Sequence, residues 1–202
     1  MLIRKKYNVE MGHLVRNCSS ERCAWSQHGH SAVIEVILCA NKLDNAGMVY
    51  DFGLMKGTIK QLIDSFDHCY VFWDKESEEF KDYIKKFNKR WLEVNFNPTA
   101  ENLALFFHGQ IEYILQHTLK KNDEDPELHV ASVIYHETDT GYAQTEYEDV
   151  NMIFENNPGE EIRPKLDFME IPDEVHKDWS LDLKKILWDG KQIENPEPFR
   201  QI

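Results

Sequence analysis

The sequence predicts an α+β domain in which two helices cover one face of an antiparallel sheet. Apolar side chains alternate every second residue near the start of the chain, at 2–12 and 28–39, and again at 128–137 and 142–147. Between these two pairs of segments lie two stretches with helical spacing. Paired strands around central helices are typical of a helix layer packed on an antiparallel sheet.

Alternation identifies the first two strands and separates them from a loop. The apolar residues of the first strand that share one face are Ile3, Tyr7, Val9 and Met11. The segment 28–39 carries apolar residues on most of both faces, so this second strand should be covered on both sides. The polar, turn-rich residues 14–27 between them are expected to form a loop.

Two helices are expected in the middle of the chain. Apolar residues from Gly53 to Phe66 recur at helical spacing. A second helix is expected to begin at Asn97-Pro98-Thr99, with the Asn side chain as cap and proline in the first position, and to reach about Leu119. The densely charged residues 74–91 between them should form a solvated helix or an excursion.

The composition changes near residue 150. Residues 1–150 carry the strand and helix patterns, whereas residues 151–202 are acidic, contain prolines and show little periodicity. We expect residues 1–150 to form one domain and residues 151–202 to form an acidic C-terminal extension. Within the extension, Leu181 to Trp188 can form a short helix capped by Ser180.

The charge balance excludes some classes of partner. The formal net charge is −13, whereas nucleic acids and anionic membranes bind basic faces. The apolar runs are too short to span a bilayer, and the charged start lacks the apolar stretch of a secretory signal. The 4 cysteines are therefore expected to be reduced thiols in a cytoplasmic protein. A small phosphorylated ligand remains compatible, because it needs only a few local cations.

The strongest local motif is His28-Gly29-His30, at the start of the second predicted strand. Side chains two residues apart on a strand share a face, so the two imidazoles should lie side by side. His13 ends the first predicted strand and lies beside them if the two strands pair as a hairpin. Three histidines leave one coordination position open, as in catalytic zinc sites. The alternative is that these are ordinary surface or core histidines. A His-x-His motif without further context favours this interpretation.

Four further residues could transfer protons. Cys23 shortly precedes the motif, and a nearby zinc ion would favour its thiolate form. Cys18 is the second candidate for that role, and a buried structural cysteine is the alternative. Asp67 can orient His68 as in an acid–base relay, although the pair also fits a helix C-terminus.

One carboxylate stands out as a possible ligand anchor. Glu137 ends a predicted strand whose neighbours are apolar. Its two oxygens can accept paired hydrogen bonds from the edge of a heterocycle. The alternative is an exposed glutamate at a strand end.

Taken in order, these motifs resemble the superfamily of 6-pyruvoyl-tetrahydropterin synthases and 6-carboxy-tetrahydropterin synthases, the latter from queuosine biosynthesis. The resemblance extends over roughly residues 2–147. The segments that carry it are Met11-Gly12-His13, Cys23 with His28-Gly29-His30-Ser31, Gly47 to Phe52 with Lys56, Asp67-His68, Asn97 to Ala104, and His136-Glu137-Thr138. The family fold is the tunnelling fold, an antiparallel four-stranded sheet backed by two helices. Its subunits join edge to edge into barrels, so the resemblance implies a homo-oligomer with active sites at subunit interfaces.

The resemblance also implies a role for each candidate residue. The residues that match the zinc ligands are His13, His28 and His30. Those that match the catalytic groups are Cys23, Asp67 and His68. Those that match the substrate-binding segment are Glu137 as pterin anchor, with Thr99 and Glu101 beside it.

The function implied is that of a zinc-dependent lyase, a 6-carboxy-5,6,7,8-tetrahydropterin synthase. Such an enzyme converts 7,8-dihydroneopterin triphosphate to 6-carboxytetrahydropterin, acetaldehyde and triphosphate. The alternatives are a 6-pyruvoyl-tetrahydropterin synthase, which leaves the side chain uncleaved, a cyclohydrolase or aldolase relative, and a non-catalytic metal-binding protein. The spacing from Cys23 to His28 lies between those usual for the two synthase branches, and residues 151–202 have no counterpart in the family pattern.

Overall fold

A computed structural model describes residues 1–119, 127–155 and 163–196 of the chain. The strands are β1 (Leu2–His13), β2 (His28–Ala40), β3 (Cys69–Trp73), β4 (Trp91–Val94), β5 (Thr118–Leu119), β6 (Leu128–His136), β7 (Tyr142–Glu146), β8 (Phe168–Glu170) and β9 (Ile193–Glu194). The α-helices are α1 (Glu21–Trp25), α2 (Thr58–Asp64), α3 (Glu78–Phe87), α4 (Ala100–Gln116), α5 (Val150–Ile153), α6 (Asp173–His176) and α7 (Leu181–Leu187). Short 3-10 turns occupy Leu54–Lys56 and Tyr147–Asp149.

The main sheet has seven strands in the order β7-β6-β2-β1-β3-β4-β8. The four strands expected from alternation are all present and pair antiparallel with one another, from β1 through β2 and β6 to β7. The inner face of β1 and β2 is closely packed, because Val9, Ala32 and Ile34 are all at most 1% exposed. The long β1–β2 ladder therefore forms the rigid base on which the histidines lie.

The expectation of a four-stranded antiparallel sheet is wrong, because β3, β4 and β8 extend the sheet. β3 pairs in parallel with both β1 and β4, and β8 pairs antiparallel with β4. Nearly every residue of β3 and β4 is buried. A strand covered on both faces shows no two-residue alternation, so these short strands give no periodic signal in the sequence.

The two central helices lie where the sequence predicts them, with shifted ends. α4 begins at Ala100 and ends at Gln116. Its cap is Thr99, whose Oγ1 accepts a hydrogen bond from the backbone N–H of Asn102 at 3.2 Å. The side chain of Asn97, expected as the cap, instead exchanges two hydrogen bonds with the backbone of Arg16 in the loop after β1. No described helix is long and apolar enough to cross a membrane.

The C-terminal part of the chain contributes to the same hydrophobic core as the sheet. Its buried residues in that core are Phe168, Val175, Trp179, Leu183 and Ile186. They pack beside an aromatic cluster formed by Phe66, just after α2, and Phe106 of α4, whose rings lie 5.3 Å apart. The helix expected after Ser180 is present, and Ser180 caps it by accepting from the N–H of Leu183. The division of the chain into a domain of residues 1–150 and a C-terminal extension of residues 151–202 stays a prediction.

Candidate metal centre and active site

The pairing of β1 with β2 brings three histidines together. His13 lies directly opposite His28, and Met11 lies opposite His30, so the three imidazoles share one face of the sheet. Their ring centroids are 4.7 to 5.1 Å apart. One ligand atom from each ring lies within 4.8 Å of the others. The arrangement is that of a metal site with three protein ligands.

Gly29 allows the two strands to approach at this point. A Cβ atom at Gly29 would lie 2.8 Å from the backbone oxygen of Met11, closer than such atoms pack. A side chain there would therefore force β1 and β2 apart beside the histidine pair. The glycine between the two histidines of the motif is thus a requirement of strand packing.

Backbone carbonyls fix the tautomers of two of the imidazoles. Nδ1 of His13 donates to the Pro98 carbonyl at 2.8 Å, and Nδ1 of His28 donates to the Ser26 carbonyl at 2.9 Å. Because a carbonyl can only accept, Nδ1 carries the proton and Nε2 keeps its lone pair. Among the described residues, the buried Nε2 atoms of His13 and His30 have no hydrogen-bond partner. Such unpartnered ring nitrogens fit a bound cation.

His13 is wholly buried, and this burial keeps its ring neutral. Burial lowers the pKa of His13 to about 4, although the hydrogen bond to Pro98 acts in the opposite direction. The nearby His28 and His30 lower the pKa further. A neutral imidazole is the form that binds metal, so burial holds His13 in the form that can coordinate zinc at neutral pH.

Glu137 lies beside the histidines, just after β6. Its Oε1 is 3.6 Å from Nε2 of His13 and 3.7 Å from Nε2 of His30. These distances are too long for hydrogen bonds, and the side chain is 30% exposed. The carboxylate can therefore accept hydrogen bonds from a ligand bound next to the metal centre.

Asp67 and His68 form a hydrogen-bonded pair after α2. Nδ1 of His68 lies 2.9 Å from Oδ2 of Asp67, whose Oδ1 accepts from the backbone N–H of Glu10 at 2.8 Å. Burial by itself raises the pKa of the Asp67 carboxyl, but the bonds from Glu10 and His68 bring it below its ordinary value. Asp67 is therefore an anion that holds the Nδ1–H of His68 and leaves Nε2 available.

His68 lines an open cleft of about 490 Å³ that reaches His28 and His30. Residues of β1 and β2 that alternate with the histidines also line it, including Glu10 and Ser31. Within the described residues, no hydrogen bond or ring contact joins His68 to the three histidines or to Cys23. The structure thus places His68 on the same cleft as two candidate ligands without direct contact.

Cys23 lies on the short helix α1, in the segment expected as a loop. Its thiol is partly buried, and its backbone oxygen accepts from the N–H of Val15 at 2.9 Å. Cys18 is also partly buried, and its Sγ donates to the Ser20 carbonyl at 3.2 Å. Neither thiol contacts a histidine of the site within the described part of the chain, so the choice between them stays a prediction.

Arg16 holds α1 in place and was not found by sequence reasoning. Its Nη1 donates to the Ala24 carbonyl at 2.5 Å, and its Nε and Nη2 form a two-bond ion pair with Glu76 at 2.7 and 2.8 Å. The backbone of Arg16 exchanges two hydrogen bonds with the Asn97 side chain. Arg16 therefore joins the helix that carries Cys23 to two distant segments, and no local sequence pattern indicates this role.

The segment at the start of α4 contacts the candidate metal centre through its backbone. The Pro98 carbonyl accepts from His13, whereas the Thr99 hydroxyl caps the helix. Glu101 is an exposed residue of the first helical turn. The roles of Thr99 and Glu101 in substrate binding stay predictions, because their described contacts do not reach the histidines.

The fold and the three imidazoles define an α+β protein with a candidate three-histidine metal centre. A family model described as 6-pyruvoyl tetrahydropterin synthase matches residues 2–148. A relative from Helicobacter pylori, a 6-carboxy-5,6,7,8-tetrahydropterin synthase, is 46% identical over 150 residues, which are 74% of this chain and 74% of the relative. The chain therefore belongs to the 6-pyruvoyl tetrahydropterin synthase family of enzymes.

Solved structures of low identity share this fold. An uncharacterized protein of Wolinella succinogenes has a TM-score of 0.55 at 19% identity, covering 73% of this chain and 98% of its own. The 6-pyruvoyl tetrahydropterin synthase of Plasmodium falciparum has a TM-score of 0.53 at 11% identity, covering 72% of this chain and 96% of its own. The family match ends at residue 148, so β8, α6 and α7 lie beyond it.

Proposed function

We propose that the protein is a zinc-dependent 6-carboxy-5,6,7,8-tetrahydropterin synthase. The reaction converts 7,8-dihydroneopterin triphosphate and one water to 6-carboxytetrahydropterin, acetaldehyde and triphosphate, a step of queuosine biosynthesis. One observation carries the proposal: three imidazoles converge in a chain that is 46% identical to a synthase of that name, and among the described residues the buried Nε2 atoms of two of them, His13 and His30, have no hydrogen-bond partner. Fold alone would not suffice, because one fold supports many reactions.

The three histidines would hold the zinc ion, and Glu137 would hold the pterin. When bound, zinc supplies a Lewis acid that polarises side-chain oxygens of the substrate. His13 and His28 present Nε2 because their Nδ1 protons are engaged by carbonyls. The Glu137 carboxylate would accept the ring N–H and the exocyclic amine of the pterin, a paired charge-assisted contact.

Cys23 and His68 would move the protons. The Cys23 thiolate would take a proton from the substrate side chain, and Nε2 of His68 would take or return a second one. The Asp67 anion engages Nδ1 of His68 and stabilises the imidazolium formed when Nε2 accepts a proton. Elimination then expels triphosphate, and cleavage of the side chain releases acetaldehyde.

The assembled enzyme would be a cytoplasmic homo-oligomer with active sites at subunit interfaces. Among the described residues no strand pairs with the outer edge of β7, which would leave this edge available for edge-to-edge association into a barrel. Such assembly would complete the cleft beside His68, which is open in the single chain. The net charge of −13 argues against nucleic acid and anionic membranes as partners, and it remains compatible with a small pterin triphosphate, which needs only a few local cations.

The decisive experiment follows both products of the reaction. Zinc-loaded protein is incubated with 7,8-dihydroneopterin triphosphate, and acetaldehyde and the pterins are quantified together. We expect equal amounts of acetaldehyde and 6-carboxytetrahydropterin, and none from a variant in which both His28 and His30 are replaced by alanine. Triphosphate release without acetaldehyde would indicate the 6-pyruvoyl branch. No turnover by zinc-loaded protein would indicate a non-catalytic metal-binding protein.

A further inference from the structure

A segment beyond the family match contacts the loop that carries the proposed proton-transfer pair. This segment, residues 172–180, is called the C-terminal brace, and residues 65–68 are called the His68 loop. We propose that the C-terminal brace, acting through Arg90 and Asp178, positions His68 for proton transfer. The proposal rests on the proposed function of His68 and assigns a role to a region that the family match does not cover.

The His68 loop has an unusual backbone conformation that needs support. His68 has a φ of 57°, in the left-handed region that residues with a Cβ seldom adopt. On one side, β1 supports the loop, because the N–H of His68 donates to the Glu10 carbonyl at 2.6 Å. The His68 side chain is 73% exposed, and Asp67 is its described hydrogen-bond partner. The direction of the imidazole therefore depends on the backbone of the loop.

Arg90 supports the loop from the other side. Its Nε donates to the Asp67 carbonyl at 3.0 Å, and its Nη2 donates to the Asp64 carbonyl at 3.2 Å. These carbonyls lie at and just beyond the end of α2, where backbone oxygens lack helical partners and a cation is favourable. A planar guanidinium can engage both at fixed angles, which a lysine cannot.

The C-terminal brace fixes the guanidinium of Arg90. Nη1 donates to Oδ2 of Asp178 at 2.8 Å and to the Glu174 carbonyl at 3.2 Å. The Arg90 side chain is 21% exposed, so it is largely enclosed between the brace and the His68 loop. Asp178 thus reaches the Asp67 backbone through one arginine.

Two further hydrogen bonds join the brace to the same region. Nε1 of the buried Trp179 donates to the Ser65 hydroxyl at 2.6 Å. The backbone N–H of Ser180 donates to the Gln61 side-chain oxygen at 2.9 Å. All these contacts converge on the end of α2 and the His68 loop, so the brace sets the position of one loop as well as covering the core.

The test uses the full chain with substitutions at two points of the contact. Asp178→Asn removes the ion pair but keeps the size of the side chain. Arg90→Lys removes the planar guanidinium that donates to the Asp67 carbonyl. A shift of about 1 Å at a catalytic group can lower the rate by roughly a hundredfold. We expect kcat to fall roughly tenfold in Asp178→Asn and further in Arg90→Lys, with KM and zinc content nearly unchanged.

Two controls separate positioning from stability and charge. Asp182→Asn removes the same charge from the nearby helix α7, where Asp182 pairs with Lys185 on the surface, and should leave kcat unchanged. Leu183→Ala leaves a cavity under α7 and should lower the melting temperature without altering kcat. If Leu183→Ala lowers kcat as much as Asp178→Asn, the brace acts through stability alone and the proposal is wrong.

A spectroscopic measurement keeps the proposal independent of turnover. In protein labelled with ¹⁵N-histidine, the His68 ring signals should move in Asp178→Asn toward those of Asp67→Asn, in which the orienting carboxylate is absent. Unchanged His68 signals in both Asp178→Asn and Arg90→Lys would overturn the inference. If wild-type protein makes no acetaldehyde, the proposed function fails, while the ring signals still decide whether the brace positions His68.

Discussion

At the scale of single residues, hydrogen bonds to the backbone prepare the candidate metal centre. His13 and His28 each have Nδ1 held by a carbonyl, whereas no hydrogen bond of the His30 imidazole is found in the described part of the chain. The backbone therefore orients two of the three candidate ligands, whereas the described hydrogen bonds do not hold the His30 ring. Partners of this kind typically change metal affinity ten- to a hundredfold.

Zinc content tests the three-histidine assignment. Purified protein should carry about one zinc per chain, as a site with three protein ligands and an open position requires. His28→Ala should release the metal, as measured by elemental analysis after dialysis against a weak chelator. His176→Ala is the matched control, because His176 contacts Trp188 away from the site. Stoichiometric zinc in a variant lacking both His28 and His30 would contradict the assignment.

Paired cysteine variants test which thiol transfers the proton. Cys23→Ala should abolish turnover while zinc content and assembly stay unchanged, because the thiolate would move protons and would not bind metal. Cys18→Ala should keep most of the activity. The measurement is acetaldehyde release under saturating substrate. If Cys18→Ala is the inactive variant, Cys18 is the catalytic thiol, and the match of Cys23 to the catalytic cysteine of the family is wrong.

Glu137→Gln tests the pterin anchor. The substitution keeps the size of the side chain but removes its charge and turns one acceptor into a donor. Losing a charge-assisted buried contact costs on the order of 3 kcal/mol, so the affinity for a pterin product should fall roughly a hundredfold. Calorimetric titration of the pterin into both zinc-loaded proteins measures this change. Equal affinities would remove Glu137 from the binding site, whatever its distance to His13.

At the scale of elements, burial decides which strands a sequence reveals. β1 alternates because one of its faces is buried and the other is largely exposed, and the alternation predicts both the strand and the position of His13. β3 and β4 are buried almost throughout, so their residues carry no periodic mark of a strand. The two-residue spacing of His28 and His30 predicted that the three histidines meet if the first two strands pair as a hairpin, and β1 and β2 do pair in this way. Their role as metal ligands stays a prediction.

Contacts between segments that are far apart in the chain could not be predicted from the sequence. Arg16 pairs with Glu76, 60 residues away, and Arg90 pairs with Asp178, 88 residues away. Such pairs are set by how complete elements pack, which local spacing does not encode.

The contact between α4 and the sheet contains a histidine that makes stability depend on pH. His108 is 2% exposed, and its Nδ1 lies 2.9 Å from the Thr145 hydroxyl. Burial lowers the pKa of His108 to about 4, although Asp149 and the Val130 backbone raise it. The folded-state pKa is thus below the unfolded value of about 6.5, so the unfolded chain binds more protons between these values.

Stability should therefore fall as the pH is lowered from 6.5 toward 4. At pH 4.5 the His108 contribution to the loss should be about 2 to 3 kcal/mol relative to pH 7. Urea unfolding at both pH values gives the loss of unfolding free energy for wild type and for His108→Gln. The contribution of His108 is the difference between the losses of the two proteins. Other groups titrate equally in both proteins and cancel. Equal losses in the two proteins would show that His108 is not held neutral by burial.

At the scale of the whole molecule, the family domain and the C-terminal segment share one core. The segment supplies β8 to the edge of the sheet and packs its buried side chains beside those of α2 and α4. Each buried apolar side chain of this size contributes about 1.5–3 kcal/mol. Five such residues therefore contribute on the order of 10 kcal/mol, which is comparable to the total stability of about 5–15 kcal/mol typical of a folded protein.

A truncation after residue 148, where the family match ends, tests this estimate. The shortened chain would expose the face of the core that Phe168, Trp179 and Leu183 cover, and would leave Arg90 without Asp178. We expect it to aggregate or to unfold without a cooperative transition in calorimetry, whereas a chain ending at residue 196 keeps every described contact and should melt like the full protein. A cooperative transition of the shorter chain within a few degrees of the full protein would show that residues 1–148 fold alone. The C-terminal segment would then be an extension to a complete domain, as the change in composition near residue 150 predicts.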